Sequence, residues 1–215
     1  MENDAPVAEI VAVDGGAKRR QILDGARKVF LRQGFDGASM NDVASAAGVS
    51  KGTLYVYFSS KEDLFEILIR EERRQQAERM TDFSHQPGEL RDVLHNFGRQ
   101  LLDHMTQPDA VAQVRIVIAA SAKFPQLGRA FFESGPLYGA TRLAAYLRER
   151  EAAGKLAMPD ADRAAWQYLE LCQAGLFKRL LFRQVDSLDA GEVEATVRAA
   201  VALFMAAYGT PPRSA

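Results

Sequence analysis

The chain has 215 residues, 47% of them hydrophobic and 26% charged, with a formal net charge of −1. That composition fits a folded globular protein and excludes a collagen-like or low-complexity chain. Cys172 is the only cysteine, which rules out an intrachain disulfide and fits a reducing cytoplasm. No apolar run approaches the roughly 18 residues of a membrane span, and the start of the chain lacks the basic and apolar blocks of an export signal. A cytoplasmic protein with no membrane partner is therefore expected. The charge is unevenly spread. Met1 to Gly16 carries Glu2, Asp4, Glu9 and Asp14 and no base, whereas Ala17 to Glu62 carries Lys18, Arg19, Arg20, Arg27, Lys28, Arg32, Lys51 and Lys61 against four acids. A basic stretch in a near-neutral chain points to a polyanion-binding surface; scatter on solvated helix faces would give the same count, and charge alone leaves both open.

Residues 1–16 show no sustained period and are expected to be a disordered tail, with Val7, Ile10, Val11 and Val13 as a weaker option for a docking arm. From Ala17 to Gln33 the period turns helical, with Ile22, Ala26, Val29 and Phe30 on one face. Gly34 stands where a left-handed C-cap is expected, and Phe35 can fold back as its hydrophobic contact. Ser39 reads as an N-cap with Asp42 as its capping-box partner, opening a two-turn helix to Ala47. Gly48 suits a tight turn, and Ser50 is placed to cap a helix over Lys51–Tyr57 anchored by Leu54 and Phe58. A long helix follows over Lys61–Met80, apolar in its first half through Leu64, Phe65, Leu68 and Ile69 and polar from Glu71 to Arg79. Its second half is solvent-exposed or bridges two modules.

Residues 81–88 read as a linker. Beyond it every period is helical: Glu89–Thr106, then a helix opened by Pro108 whose Val111–Ala122 stretch is apolar enough to be buried all round. Another is opened by Pro125 and kinked at Gly135-Pro136 before it ends near Ala153. Ala161–Gln184 follows the break at Pro159-Asp160, and a last helix runs from Asp189 to Tyr208 before a frayed end over 210–215. No stretch alternates with period two, so the fold class expected is all-α with about nine helices. The division expected is a helix-turn-helix domain over 17–62, a connecting helix over 63–80 and a larger helical domain over 81–209.

Two short helices joined by Ala-Gly-Val-Ser form a helix-turn-helix. The second must enter the major groove, and its first residues do the reading. Those are Lys51, Gly52 and Thr53. Gly52 lets the backbone come close, and Thr53 offers a hydroxyl and a methyl. Tyr55 and Tyr57 avoid the Leu54/Phe58 side and can reach phosphates, as can Lys61, Ser39 and the amides of the helix that Ser39 caps; Ser50 opens the reading helix itself. The plainer alternative is that the tyrosines pack the small domain.

The residues Ile22-Leu-Asp-Gly-Ala-Arg-Lys-Val-Phe, Gly34-Phe, Met40-Asn-Asp-Val-Ala, Ala47-Gly-Val-Ser-Lys-Gly-Thr-Leu-Tyr-Val-Tyr-Phe and Ser60-Lys-Glu-Asp-Leu resemble the DNA-binding domain of the TetR family of transcription regulators. The family commonly has a second aromatic where this chain has Val56, and a histidine or similar residue at Tyr57, which leaves open which of these positions touches bases. The resemblance implies a homodimer formed by the last two long helices, for which Ala165, Leu169, Cys172, Leu176, Val197, Val201 and Phe204 are the stripe residues. Intramolecular core would show the same stripes. It also implies a cavity for a small-molecule effector, with Phe97, Leu101, His104, Met105, Val114, Arg115, Ile118, Phe131, Tyr138, Trp166, Glu170 and Phe177 as candidates; core packing is the alternative for each.

His85, His95 and His104 do not form a metal-ligand set, so no metal or other cofactor is expected. Cys172 reads as core filler or, if exposed, as an electrophile sensor. No nucleophile elbow, phosphate loop or catalytic spacing is present, so no catalytic residue is assigned and an enzyme is not expected. The function expected is a ligand-responsive repressor that binds a palindromic operator as a homodimer. The competing reading is a helical ligand-binding or scaffold protein whose basic module binds polyanions without sequence preference.

Overall fold

The computed structural model describes residues 6–83 and 88–210, with side chains from Gly16 onward. Helical backbone begins at Pro6, inside the segment expected to be a tail; the side chains proposed there as a docking arm, together with His85 and residues 211–215, lie outside the described residues. The elements in order are α1 (Pro6–Gly37), α2 (Met40–Ala47), α3 (Lys51–Tyr57), α4 (Lys61–Met80), α5 (Leu90–Met105), α6 (Pro108–Ser121) and α7 (Pro125–Phe132). A π-turn (Glu133–Leu137) leads into α8 (Tyr138–Ala152), α9 (Ala161–Gln173), α10 (Leu176–Leu181) and α11 (Ala190–Tyr208). The expected all-α class holds: the described residues contain no strand, only an isolated bridge between Leu156 and Gly209.

Punctuation in the sequence sets most boundaries. Ser39 and Asp42 close a reciprocal capping box at α2, and Gly48 ends that helix in the left-handed region at φ 63°. Asp160 and Asp189 cap α9 and α11 by accepting from the backbone N–H groups of Arg163 and Glu192. Gly34 takes a positive φ of 72° as expected, but its ψ of 177° is extended, so it is a sharp corner and not the left-handed cap. The corner turns Phe35 back against Phe30 and Phe65. Pro136 lacks an N–H and cannot continue the ordinary ladder, and the expected kink is realised there as a π-turn. The helix expected over Ala161–Gln184 is broken at Gly175, whose φ of 84° separates α9 from α10.

The chain forms two compact units. Among the described residues, the first comprises 6–71 together with Ile116–Phe131; the second comprises 72–83, 88–115 and 132–210. This differs from the contiguous division expected, because Val117, Ala120, Leu127 and Ala130 supply side chains to the first unit's core. That core joins Ile22, Val29 and Phe30 of α1, Val43 of α2, Leu54 of α3, Phe58, and Leu64, Phe65 and Leu68 of α4. The second unit packs α5, α8, α9 and α11 around Leu94, Phe97, Leu143, Leu147, Tyr168 and Phe204. Val111–Ala122 is not buried all round: Ile118 is 55% exposed, and Ala119 and Ala122 also face outward.

Candidate nucleic-acid interface

In α3 only Leu54 is buried, with Phe58 at its C-cap also fully covered. The helix is seven residues long and holds its place through these two anchors. Ser50 Oγ accepts from the Thr53 N–H at 3.0 Å and lies 2.8 Å from Thr53 Oγ1. Ser50 and Thr53 thus fix the N-terminus of α3 before either meets a partner. Lys51 and Gly52 are exposed, and the Lys51 ammonium lies 6.0 Å from the centre of the Tyr55 ring. Tyr55 is 46% exposed, whereas Tyr57 is half-buried and packs against the first core. The two tyrosines therefore divide between the surface and the packing roles weighed for both.

Ser39 and Lys61 are engaged within the fold. Ser39 Oγ donates to Asp42 Oδ2 at 2.6 Å, and the Ser39 N–H donates to the same oxygen at 3.1 Å. These bonds hold the Asp42 carboxyl below its ordinary range. Lys61 Nζ donates to the carbonyls of Phe35 at 2.8 Å and Ala38 at 3.1 Å, and lies 4.5 Å from the centre of the Phe35 ring. Two of its three N–H donors are occupied, which leaves one for a phosphate. The lysine ties the start of α4 to the α1–α2 corner. Gln21 adds a second tie, donating from Nε2 to the Ala47 carbonyl at 2.6 Å.

The ligand candidates are not gathered in one unit. Ile118 and Phe131 belong to the first unit and the others to the second. Phe97 and Leu101 are buried core; Glu170 is exposed; His104, Met105, Val114, Arg115, Tyr138, Trp166 and Phe177 are half-buried. Arg115 donates from Nε to the Leu181 carbonyl at 3.0 Å and from Nη2 to that of Leu180, so its guanidinium caps the end of α10. Tyr138 donates to Glu78 at 3.2 Å, and Trp166 stacks on Phe132 with ring centres 5.8 Å apart. His104 Nε2 is buried without a hydrogen-bond partner, and burial first, then the charges of Arg73 and Arg79, push its pKa down to about 4.

The dimer stripe is corrected by burial. Ala165, Leu169, Cys172, Leu176, Val197, Val201 and Phe204 have at most 7% of their surface open within one chain. A side chain already covered in the protomer has no surface to give to a partner, so these residues are core. Cys172 packs beside Tyr168, and burial pushes its thiol up to about 12, which argues against a sensing role.

Residues 22–68 match the family described as bacterial regulatory proteins of the tetR family, and residues 92–210 match the AefR-like transcriptional repressor C-terminal domain. The chain belongs to the TetR family. It is a DNA-binding transcriptional regulator, and its relatives are regulators and not enzymes. It is similar to the HTH-type transcriptional repressor Rv1474c of Mycobacterium tuberculosis, at 33% identity over 166 residues that cover 76% of this chain and 82% of the relative. A TetR-family regulator from Mesorhizobium loti superposes with a TM-score of 0.85 at 26% identity, covering 91% of this chain and 98% of that one. The Flavonoid-responsive Regulator FrrA superposes with a TM-score of 0.75 at 36% identity, covering 93% and 100%. No helix among the described residues is long and apolar enough to cross a membrane.

Val56, where the sequence departs from the family pattern, is 81% exposed. One feature of this TetR-family chain was not expected from its sequence. Gln113, buried in α6, joins Glu72 and Arg73 of α4 through its side-chain amide. The signal for Gln113 was a lone amide within an apolar run, where a buried polar group needs partners.

Proposed function

We propose that this regulator is a repressor that binds a palindromic operator as a homodimer and is released by a small aromatic effector. The observation that carries it is the α3 surface: a short helix held by Leu54 and Phe58, with Lys51, Gly52, Tyr55 and Val56 turned outward. Two copies related by two-fold symmetry would read half-sites about 34–36 Å apart, or somewhat wider. The dimer face we propose includes the outward side of α11, where Leu203 is 57% exposed beside the small exposed residues Ala199, Ala202 and Ala206. Small residues beside a large one permit close helix approach.

Likeness to a flavonoid-responsive regulator along its whole length supports a flat aromatic effector. Half-buried Tyr138, Trp166 and Phe177 in the second unit are side chains suited to such a molecule. Helix α4 (Lys61–Met80) follows the reading helix directly in the chain and is the element proposed to transmit binding. The effector acts only by its differential affinity for two states, typically 1–3 kcal/mol, or about 5- to 150-fold in operator affinity. The cytoplasm, where the operator lies, is the place assigned to it.

The test selects a duplex from a random pool with the full chain, then measures affinity for it and for a scrambled duplex across salt, with and without a hydroxylated flavone. Selective binding that weakens with the flavone is expected. Equal affinity for both duplexes at every salt concentration would instead support the sequence-blind polyanion binder. A selective complex indifferent to the flavone would remove only the effector class.

A further inference from the structure

We infer that Val56 is a base-reading residue of this regulator and that it recognises the 5-methyl group of a thymine in the operator half-site. The inference starts from where the helix puts its side chains. At 3.6 residues per turn, Val56 is rotated about 200° from Leu54, the one buried residue of α3, and so stands on the opposite side of the helix. Gly52 lies one turn before it on that outer line. The nearest atom a Cβ on Gly52 would meet is Ser50 Oγ at 3.8 Å, so nothing in the fold excludes a side chain there. The outermost ridge of the reading helix is thus a glycine followed by a valine: bare backbone that allows close approach, then one apolar side chain at the crest. Val56 is 81% exposed, the highest value among the exposed large hydrophobic residues, while Tyr55 on its flank is 46% exposed.

The chemistry of that crest is restrictive. Valine has no donor or acceptor, so it takes no part in the hydrogen-bond code of the groove and cannot hold a phosphate. The one apolar feature of an unmodified base pair in the major groove is the thymine methyl. The other outward groups of α3 are polar or already engaged: Lys51 lies near the Tyr55 ring, and the Thr53 hydroxyl is within hydrogen-bond distance of Ser50. A β-branched side chain in a helix is held near one χ1 rotamer, so both valine methyls are presented without further ordering.

The inference rests on sequence-specific operator binding, and its test separates the two. A duplex is selected with the full-length protein, and each thymine of one half-site is replaced in turn by uracil, which removes only the methyl. For the wild type, one position is expected to lose about three- to fivefold in affinity, the effect of withdrawing one methyl-sized apolar contact. Val56→Ala should bind the thymine duplex more weakly by a similar factor and show no penalty for uracil at that position. Val56→Thr, which keeps one methyl, should retain part of it. Circular dichroism of both variants checks that the exposed substitution leaves the fold intact. A wild-type uracil scan that is flat at every position overturns the assignment. So does a Val56→Ala variant with the same uracil penalty at the same position, or one weakened equally on both duplexes. Failure to enrich any duplex would overturn the operator reading and this inference together.

Discussion

Gly25 tests whether the helix-turn-helix is held by one close crossing. A Cβ added there would lie 2.7 Å from both Cβ and the backbone N of Ala47, and 2.8 Å from its Cα. Non-bonded carbon atoms rest at about 3.5–4.0 Å, so α2 must retreat from α1 by close to an ångström. The obstacle is partly backbone, which no rotamer change relieves. Overpacking of this kind costs about 1–3 kcal/mol. The retreat also stretches the 2.6 Å bond from Gln21 to the Ala47 carbonyl, which adds about 1 kcal/mol. Alanine returns about 0.8–1 kcal/mol in helix propensity. The net expectation for Gly25→Ala is a loss of about 2 kcal/mol, or roughly 4–8 °C in Tm for a chain of this size, accompanied by weaker operator binding because α2 carries α3 with it. Urea unfolding followed by circular dichroism measures the first effect, and fluorescence anisotropy with a selected duplex the second. Gly16→Ala is the control, since its Cβ would meet nothing within 4 Å; it should be neutral or stabilising. A Gly25→Ala variant within about 0.5 kcal/mol of wild type, the scatter of ordinary surface changes, would refute the close crossing as a structural constraint.

Lys61→Ala should lower stability by about 1.5–3 kcal/mol, the range for hydrogen bonds to a charged group, because it removes both bonds that tie α4 to the α1–α2 corner. Weaker DNA binding with wild-type stability would show that the lysine acts only on phosphate. His104 favours its neutral form in the fold, so its contribution is intact above the ordinary histidine value near 6.5 and is lost as pH falls toward about 4. For a half-buried ring, discounted for solvent screening, the loss is about 1–2 kcal/mol; His104→Gln should flatten the stability profile between pH 6.5 and 4, and parallel profiles for the two proteins would refute the desolvation. Cys172 is fully buried, so a thiol reagent should label it only after unfolding, and rapid labelling of the native protein would contradict the packing found here.

What the sequence determined by itself was local. Caps, turn glycines and apolar periods act over three to four residues, so Ser39, Gly48 and Ser50 announced their roles without the fold. The reading helix was legible for the same reason, since its two anchors lie one turn apart on one face. What only the tertiary structure decided was which of two partners each side chain takes. Lys61 has the charge for a phosphate, but its neighbours in space, Phe35 and Ala38, lie more than twenty residues earlier. The α9 and α11 stripes have the period of any buried face, and only packing showed them turned inward. Gly25 carried no local signal, because its reason for being glycine is the backbone of Ala47, brought against it by the turn between the helices. Periodicity says that a face is buried; which surface buries it is a matter of long-range contact, and that is where core, interface and site part company.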